Sequence, residues 1–221
     1  MTQTDAPQTQ TTRGWSRAEI AARIAADITD GSYVNLGIGM PTAVGDALPD
    51  DKEIVLHSEN GIIGMGGYAT TEQEDPDIIN AGKEFVTLVT GASYVHHTDS
   101  FMIMRGGHLD FSVLGAFEVS MAGDLANWST GDMSRLPGVG GAMDLAVGAK
   151  KVYVMMNHTD AQGRSKLVTG CRFPLTAVNV VDRVYTNLGV FEVAGDGFRV
   201  VELAPGIDEA YAAEHTDAPL V

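Results

Sequence analysis

Tyr33-Val34-Asn35-Leu36-Gly37-Ile38-Gly39-Met40-Pro41-Thr42 opens as an apolar strand and changes character at Gly37. The glycines end the strand. Pro41 then suits the first turn of a helix, where a missing N–H leaves no bond unmade. The same order of apolar strand, glycine-rich backbone, then turn or helix recurs twice. It is seen in Leu56-His57-Ser58-Glu59-Asn60-Gly61 and in Pro137-Gly138-Val139-Gly140-Gly141, which leads into a helix over 142–149. The run from Lys151 to Met156 is continuously apolar after its opening lysine, as in parallel strands covered on both faces. Strands that alternate with helices predict an α/β fold built on an open, mainly parallel sheet flanked by helices.

Working outward, Ser16 and Glu19 form a capping box for a first helix. Ile20, Ile24 and Ile28 give it a buried stripe, and Gly31 is read as its stop. Strand character returns at 54–57, 85–89 and 109–119, and helix character at 100–105. Residues 184–203 read as strands around the turn Ala194-Gly195-Asp196-Gly197, and 207–214 as a short closing helix. Residues 1–14 are Thr- and Gln-rich and read as a loose tail, so 15–221 is expected to be one domain.

The 221 residues carry 14 Lys plus Arg against 29 Asp plus Glu, a formal charge of −15. That balance argues against electrostatic binding of nucleic acid or anionic lipid, but leaves room for a small anion held by local groups. Cys171 is the single cysteine, so no internal disulfide can form. The start of the chain lacks the apolar core of a signal peptide, and no apolar run has transmembrane length. A cytoplasmic location is the expectation.

Among candidate chemical groups, Glu59 is the unusual one. A carboxylate directly after an apolar strand, between Ser58 and Asn60-Gly61, is poor packing material. It reads either as a surface residue at a strand end or as a partly buried base or nucleophile. The glycine turns read either as tight strand-to-helix packing or as backbone N–H groups open to an oxyanion. None is a good dinucleotide fingerprint: the sixth position of such a pattern is Thr42 after Gly37 and Met143 after Gly138. His57 is read as packing on the side of its strand away from Glu59. His96-His97 has no carboxylate–cysteine constellation around it, so no metal site is assigned. His108 is expected to cap the turn after Arg105. Met102, Met104, Met155 and Met156 are read as core, and Cys171 as a small buried hydrophobe.

Leu56-His57-Ser58-Glu59-Asn60-Gly61-Ile62-Ile63-Gly64 resembles the glutamate signature of class I CoA-transferases, in the chain called the β subunit. The resemblance extends to Asn35-Leu36-Gly37-Ile38-Gly39, Asn80-Ala81-Gly82-Lys83, Met104-Arg105-Gly106-Gly107-His108 and Gly140-Gly141-Ala142-Met143-Asp144. It covers the chain from about Trp15 to about Glu202, and its signature is far more specific than a bare glycine pair. It implies that Glu59 is a nucleophile that attacks an acyl-CoA thioester, passing through a mixed anhydride and a glutamyl–CoA thioester. It implies that the Gly138–Gly141 turn donates a backbone N–H, from Gly140, to the oxyanion. Asn35, Asn60, Lys83, Gly138 and Gly141 would then lie beside the pantetheine or the catalytic carboxylate. No cofactor or metal is implied beyond CoA as substrate. An α subunit is implied as the partner, in a heterodimer or a dimer of heterodimers.

Within the family, Thr90–Phe101, Leu114–Ser120 and Val154–His158 resemble 3-oxoadipate:succinyl-CoA transferases more than acetoacetate enzymes. The implied reaction belongs late in aromatic-compound degradation. Arg105, Arg135 and Arg164 are then candidates for the second carboxylate of a dicarboxylic acid. Acetoacetate is the alternative acceptor. The same architecture also resembles sugar-phosphate isomerases and effector-sensing domains, so a binding-only module is the rival class.

Overall fold

The structure, a computed structural model, describes residues 14–132 and 138–221. Apart from Gly14, the N-terminal tail lies outside the described residues, as do Arg135 and Pro137. The elements in chain order are α1 (Arg17–Asp27), β1 (Tyr33–Leu36), a 3-10 turn (Met40–Thr42) running into α2 (Ala43–Asp46), β2 (Val55–Ser58), β3 (Ile62–Tyr68), β4 (Val86–Tyr94) and α3 (His97–Arg105). There follow β5 (Phe111–Leu114), β6 (Glu118–Ser120), β7 (Leu125–Ala126), α4 (Ala142–Gly148), β8 (Lys151–Met155) and β9 (Leu167–Val168). The chain closes with β10 (Arg183–Tyr185), β11 (Gly189–Val193), β12 (Phe198–Leu203) and α5 (Glu209–Glu214).

Nine strands form one sheet in the order β12-β11-β10-β8-β5-β1-β2-β3-β4. Its centre, β10-β8-β5-β1-β2, is parallel throughout, and an antiparallel pair extends each edge. The side-chain alternation of the strands feeds two cores. Phe111, Val113, Tyr153 and Met155 point to one face, against Ile20 and Ile24 of α1 and Ala212 of α5. Leu114, Val152, Val154 and Met156 point to the other, against Met104 of α3 and Leu145 of α4. Each large side chain so buried contributes roughly 1.5–3 kcal/mol. A second sheet of three short strands, β7-β6-β9, stands beside the first.

The capping box of α1 forms as read: Ser16 Oγ accepts from the Glu19 N–H and the Glu19 carboxylate accepts from the Ser16 N–H. Three expectations need correction, and one stretch gains an element. Helix α1 ends at Asp27, because Ile28 already has extended backbone while keeping its side chain in the core. The glycine-rich stretch after Gly61, given no element from sequence, is strand β3. Met102 is 64% exposed on α3, although Met104, Met155 and Met156 are buried. His57 does not turn away from Glu59: its ring bonds to the amide that also reaches Glu59.

Candidate active site

Glu59 sits in a four-residue turn between β2 and β3. The Gly61 N–H donates to the Ser58 carbonyl at 2.9 Å, which places Glu59 and Asn60 at the turn's centre. Both flanks are pinned. The Ala81 N–H donates to Ser58 Oγ at 3.0 Å, and the Asn60 amide donates to the Ile79 carbonyl at 2.7 Å. The Glu59 side chain is half-buried, while Asn60 is exposed.

Asn35 lies opposite His57 in the parallel register of β1 and β2. Its fully buried side-chain NH2 meets only acceptors: Glu59 Oε2 at 3.3 Å, the His57 carbonyl at 3.1 Å and His57 Nδ1 at 3.4 Å. Burial pushes the His57 ring down to about 4, so it is neutral at pH 7. An amide NH2 cannot accept, so Nδ1 is the acceptor and Nε2–H donates to Ser100 Oγ at 2.9 Å. Asn35 Oδ1 and Ser112 Oγ, on paired positions of β1 and β5, have no hydrogen-bond partner among the described residues.

The glycine turn ahead of α4 closes the other side of the carboxylate. A methyl group placed on Gly141 would lie 3.4 Å from Glu59 Oε1 and 3.5 Å from the Phe101 ring. Gly140 has φ +58°, the left-handed region that glycine enters without strain. Gly138, Gly140 and Gly141 line with Glu59 a cleft of about 480 Å³. Gly37, Ile38, Leu114, Gly115, Met155 and Met156 also line it, and they lie at or just past the carboxyl ends of β1, β5 and β8. Ligands of open α/β sheets bind at that end.

Thus Asn35, Glu59, Gly138, Gly140 and Gly141 come together, and Asn60 shares their turn with its amide committed to Ile79. Lys83 is exposed and lines neither the cleft nor the smaller cavity on the other side of β2. It makes no ion pair with Glu84 or Asp77 among the described residues, and its φ of +66° closes the turn from Asn80. Of the arginines proposed from sequence, the two among the described residues are occupied: Arg105 pairs with Asp144 and Arg164 with Asp160, both at the surface. His96 caps α3 by accepting from the Thr98 N–H, and His97 packs on Phe101. The His108 ring lies against Gly106. Cys171 is half-buried, and burial pushes its thiol up to about 12, so little thiolate exists at neutral pH. No cluster of three or more metal-ligating side chains occurs among the described residues, and no helix among them is long and apolar enough to cross a membrane.

Sequence reasoning missed Lys166. It lines the Glu59 cleft, and desolvation holds its ammonium down to about 8. Nothing local marks it, since its place follows from the pairing of β6 with β9.

The family model for coenzyme A transferase matches residues 17–211. The chain is 55% identical over 210 residues to the β subunit of 3-oxoadipate CoA-transferase from Pseudomonas putida, covering 95% of this chain and 98% of that one. It is 46% identical over 202 residues to the β subunit of succinyl-CoA:3-ketoacid coenzyme A transferase from Helicobacter pylori, covering 91% and 97%. Among solved structures, an acyl-CoA transferase apoenzyme from Escherichia coli O157:H7 superposes with a TM-score of 0.69 at 22% identity. That match covers 99% of this chain and 42% of the larger one, and it speaks to the fold alone. Fold, signature and relatives agree, and the chain belongs to the coenzyme A transferase family.

Proposed function

We propose that this chain is the glutamate-bearing β subunit of a CoA-transferase that moves CoA from succinyl-CoA to 3-oxoadipate. The observation that carries the reading is the Glu59 carboxylate, held between the Asn35 amide and the Gly138–Gly141 turn at the carboxyl end of a parallel sheet.

Glu59 attacks the thioester carbonyl, the C–S bond breaks, and CoA leaves as thiolate. The product is a glutamyl–succinyl anhydride. The thiolate then attacks the Glu59 carboxyl carbon, succinate leaves, and a glutamyl–CoA thioester remains. A carboxylate of 3-oxoadipate displaces the thiolate, forming the second anhydride. Attack of the thiolate on the oxoadipyl carbonyl releases the new thioester and restores Glu59. Nucleophile and leaving group are both anions, so no step needs a proton. Anhydride and thioester are close in energy, so the activation survives; a serine ester would lose it. Each step passes through an oxyanion, for which the N–H of Gly140, a residue lining the cleft, is the donor in this reading, a contact typically worth about 3 kcal/mol.

Water must be kept from the anhydride, and the cleft is open on one side. Ile38 and Phe117 line it with much of their surface exposed, and Met143, next in sequence to the lining Ala142, is exposed as well. An α subunit covering this apolar rim fits that shape and accords with the relatives' designation as β subunits. A cytoplasmic setting is part of this proposal and fits the unreactive cysteine. The Helicobacter relative favours a second reading, with acetoacetate as acceptor. Assay of the chain assembled with its α subunit decides between them: 3-oxoadipate should have the higher kcat/KM, and equal or better use of acetoacetate reverses the order.

A further inference from the structure

A dicarboxylic acyl group brings a second carboxylate into the cleft, and taking it out of water costs several kcal/mol unless a cation meets it. Among the described residues lining the cleft, Lys166 is the one cation. It also lines the adjoining cavity of about 900 Å³, as does Phe117, so the pair marks where the two spaces meet. The Lys166 N–H donates to the His158 carbonyl, and its own carbonyl accepts from the Val119 N–H. Its backbone is therefore committed to the fold, and the side chain is the part left for a ligand.

No hydrogen bond or ion pair of that side chain occurs among the described residues. Neighbouring charges are already satisfied. Asp160 accepts from Arg164 Nε at 2.7 Å and from the backbone N–H groups of Gln162 and Arg164. Glu118 is buried and accepts from Arg172 Nε and the Arg172 backbone N–H, each at 2.6 Å. Arg164 and Arg172 are thereby neutralised, and Lys166 remains a half-buried ammonium on which Asp160 acts from beyond ion-pair distance, with no carboxylate bonded to it among the described residues. Burial holds its pKa to about 8, below an ordinary lysine and still mostly charged at pH 7.

We propose that Lys166 is the specificity residue of this cleft, receiving the second carboxylate of a dicarboxylic acyl group while the first reacts at Glu59. This rests on the CoA-transferase reading above. In a ping-pong reaction, kcat/KM for each substrate reports its own half-reaction. The test uses the enzyme assembled with its α subunit and compares wild type with Lys166→Met. The expected result is a tenfold or greater loss in kcat/KM for succinyl-CoA and 3-oxoadipate. For acetoacetyl-CoA and acetoacetate the values should stay within about twofold. Lys166→Arg, which keeps the charge, should retain most of the preference for the dicarboxylic substrates; if Lys166→Met does not assemble, Lys166→Gln is read in its place.

An unchanged ratio of dicarboxylic to monocarboxylic substrates overturns the assignment of Lys166 while leaving the CoA-transferase reading intact. Equal losses for succinyl-CoA and acetoacetyl-CoA also overturn it, since a phosphate of CoA would then be the anion met. A wild-type enzyme that uses neither 3-oxo acid overturns the functional reading, and this inference falls with it.

Discussion

The side-chain amide of Asn35 lies 3.3 Å from Oε2 of Glu59, and the same NH2 is shared with the carbonyl and ring of His57. One buried donor thus ties the carboxylate to the neighbouring strand. A hydrogen bond to a charged group is worth about 1.5–3 kcal/mol. Asn35→Ala should therefore lower the rate of CoA transfer about 10- to 100-fold with the fold retained. Steady-state kinetics on the assembled enzyme, with circular dichroism as control, would check this. Full activity would remove Asn35 from the site.

The glycine turn gives a second expectation. Nothing lies within 4 Å of a methyl group placed on Gly140, so room is not the constraint there; its φ of +58° is. Gly140→Ala should destabilise the turn by about 1 kcal/mol and slow transfer. Gly140→Asn, which tolerates that backbone better, should be the milder variant. If the two variants are equally impaired, backbone conformation is not what the position requires.

Burial holds the rings of His57 and His158 at about 4, against 6.5 when unfolded. The unfolded chain therefore takes up protons first as the pH falls. This contribution to stability is complete above pH 6.5 and is lost progressively toward pH 4, on the order of 3 kcal/mol for each ring. Denaturant unfolding between pH 7 and pH 5 should show stability falling with acid. His158→Gln should reduce that slope by about half, and a flat profile in the wild type would contradict the burial of both rings.

Arg172 bonds a carboxylate, that of Glu118, which is 1% exposed. Arg172→Met leaves that charge buried with the Arg172 backbone N–H as its remaining partner. It should cost about 2 kcal/mol, less than for a fully buried pair because half of the arginine is in water. Thermal melts of Arg172→Met and of the double variant with Glu118→Gln measure it: the double variant should recover part of the loss.

Local signals were legible in the chain and remote ones were not. The capping box at Ser16 and Glu19 and the buried runs of β5 and β8 follow from spacing and composition, and both formed. Strand β3 was hidden because Gly64, Gly66 and Gly67 suggest a loop. Its glycines answer to the partner strand, since a side chain on Gly66 would collide with Thr87 of β4. The three-stranded sheet was hidden for a related reason: β7 and β9 are two residues long, too short for any alternation to show. At the site, Glu59 and the glycine turn stood out because their residue types fit packing poorly. Lys166 did not, because a lysine becomes unusual only when long-range pairing half-buries it with no carboxylate bonded to it. The side taken by His57 was misread because Glu59 lies in the turn after β2, and both groups meet at the Asn35 amide of the neighbouring strand.

The most direct test mixes the chain and its α subunit with succinyl-CoA, omits the acceptor acid, and maps the peptide that carries Glu59. CoA should be found attached there as a thioester, reducible by borohydride to the alcohol and converted by hydroxylamine to the hydroxamate, with neither product in Glu59→Ala. Steady transfer of CoA with Glu59 unmodified, or with the label on another residue, would contradict the account.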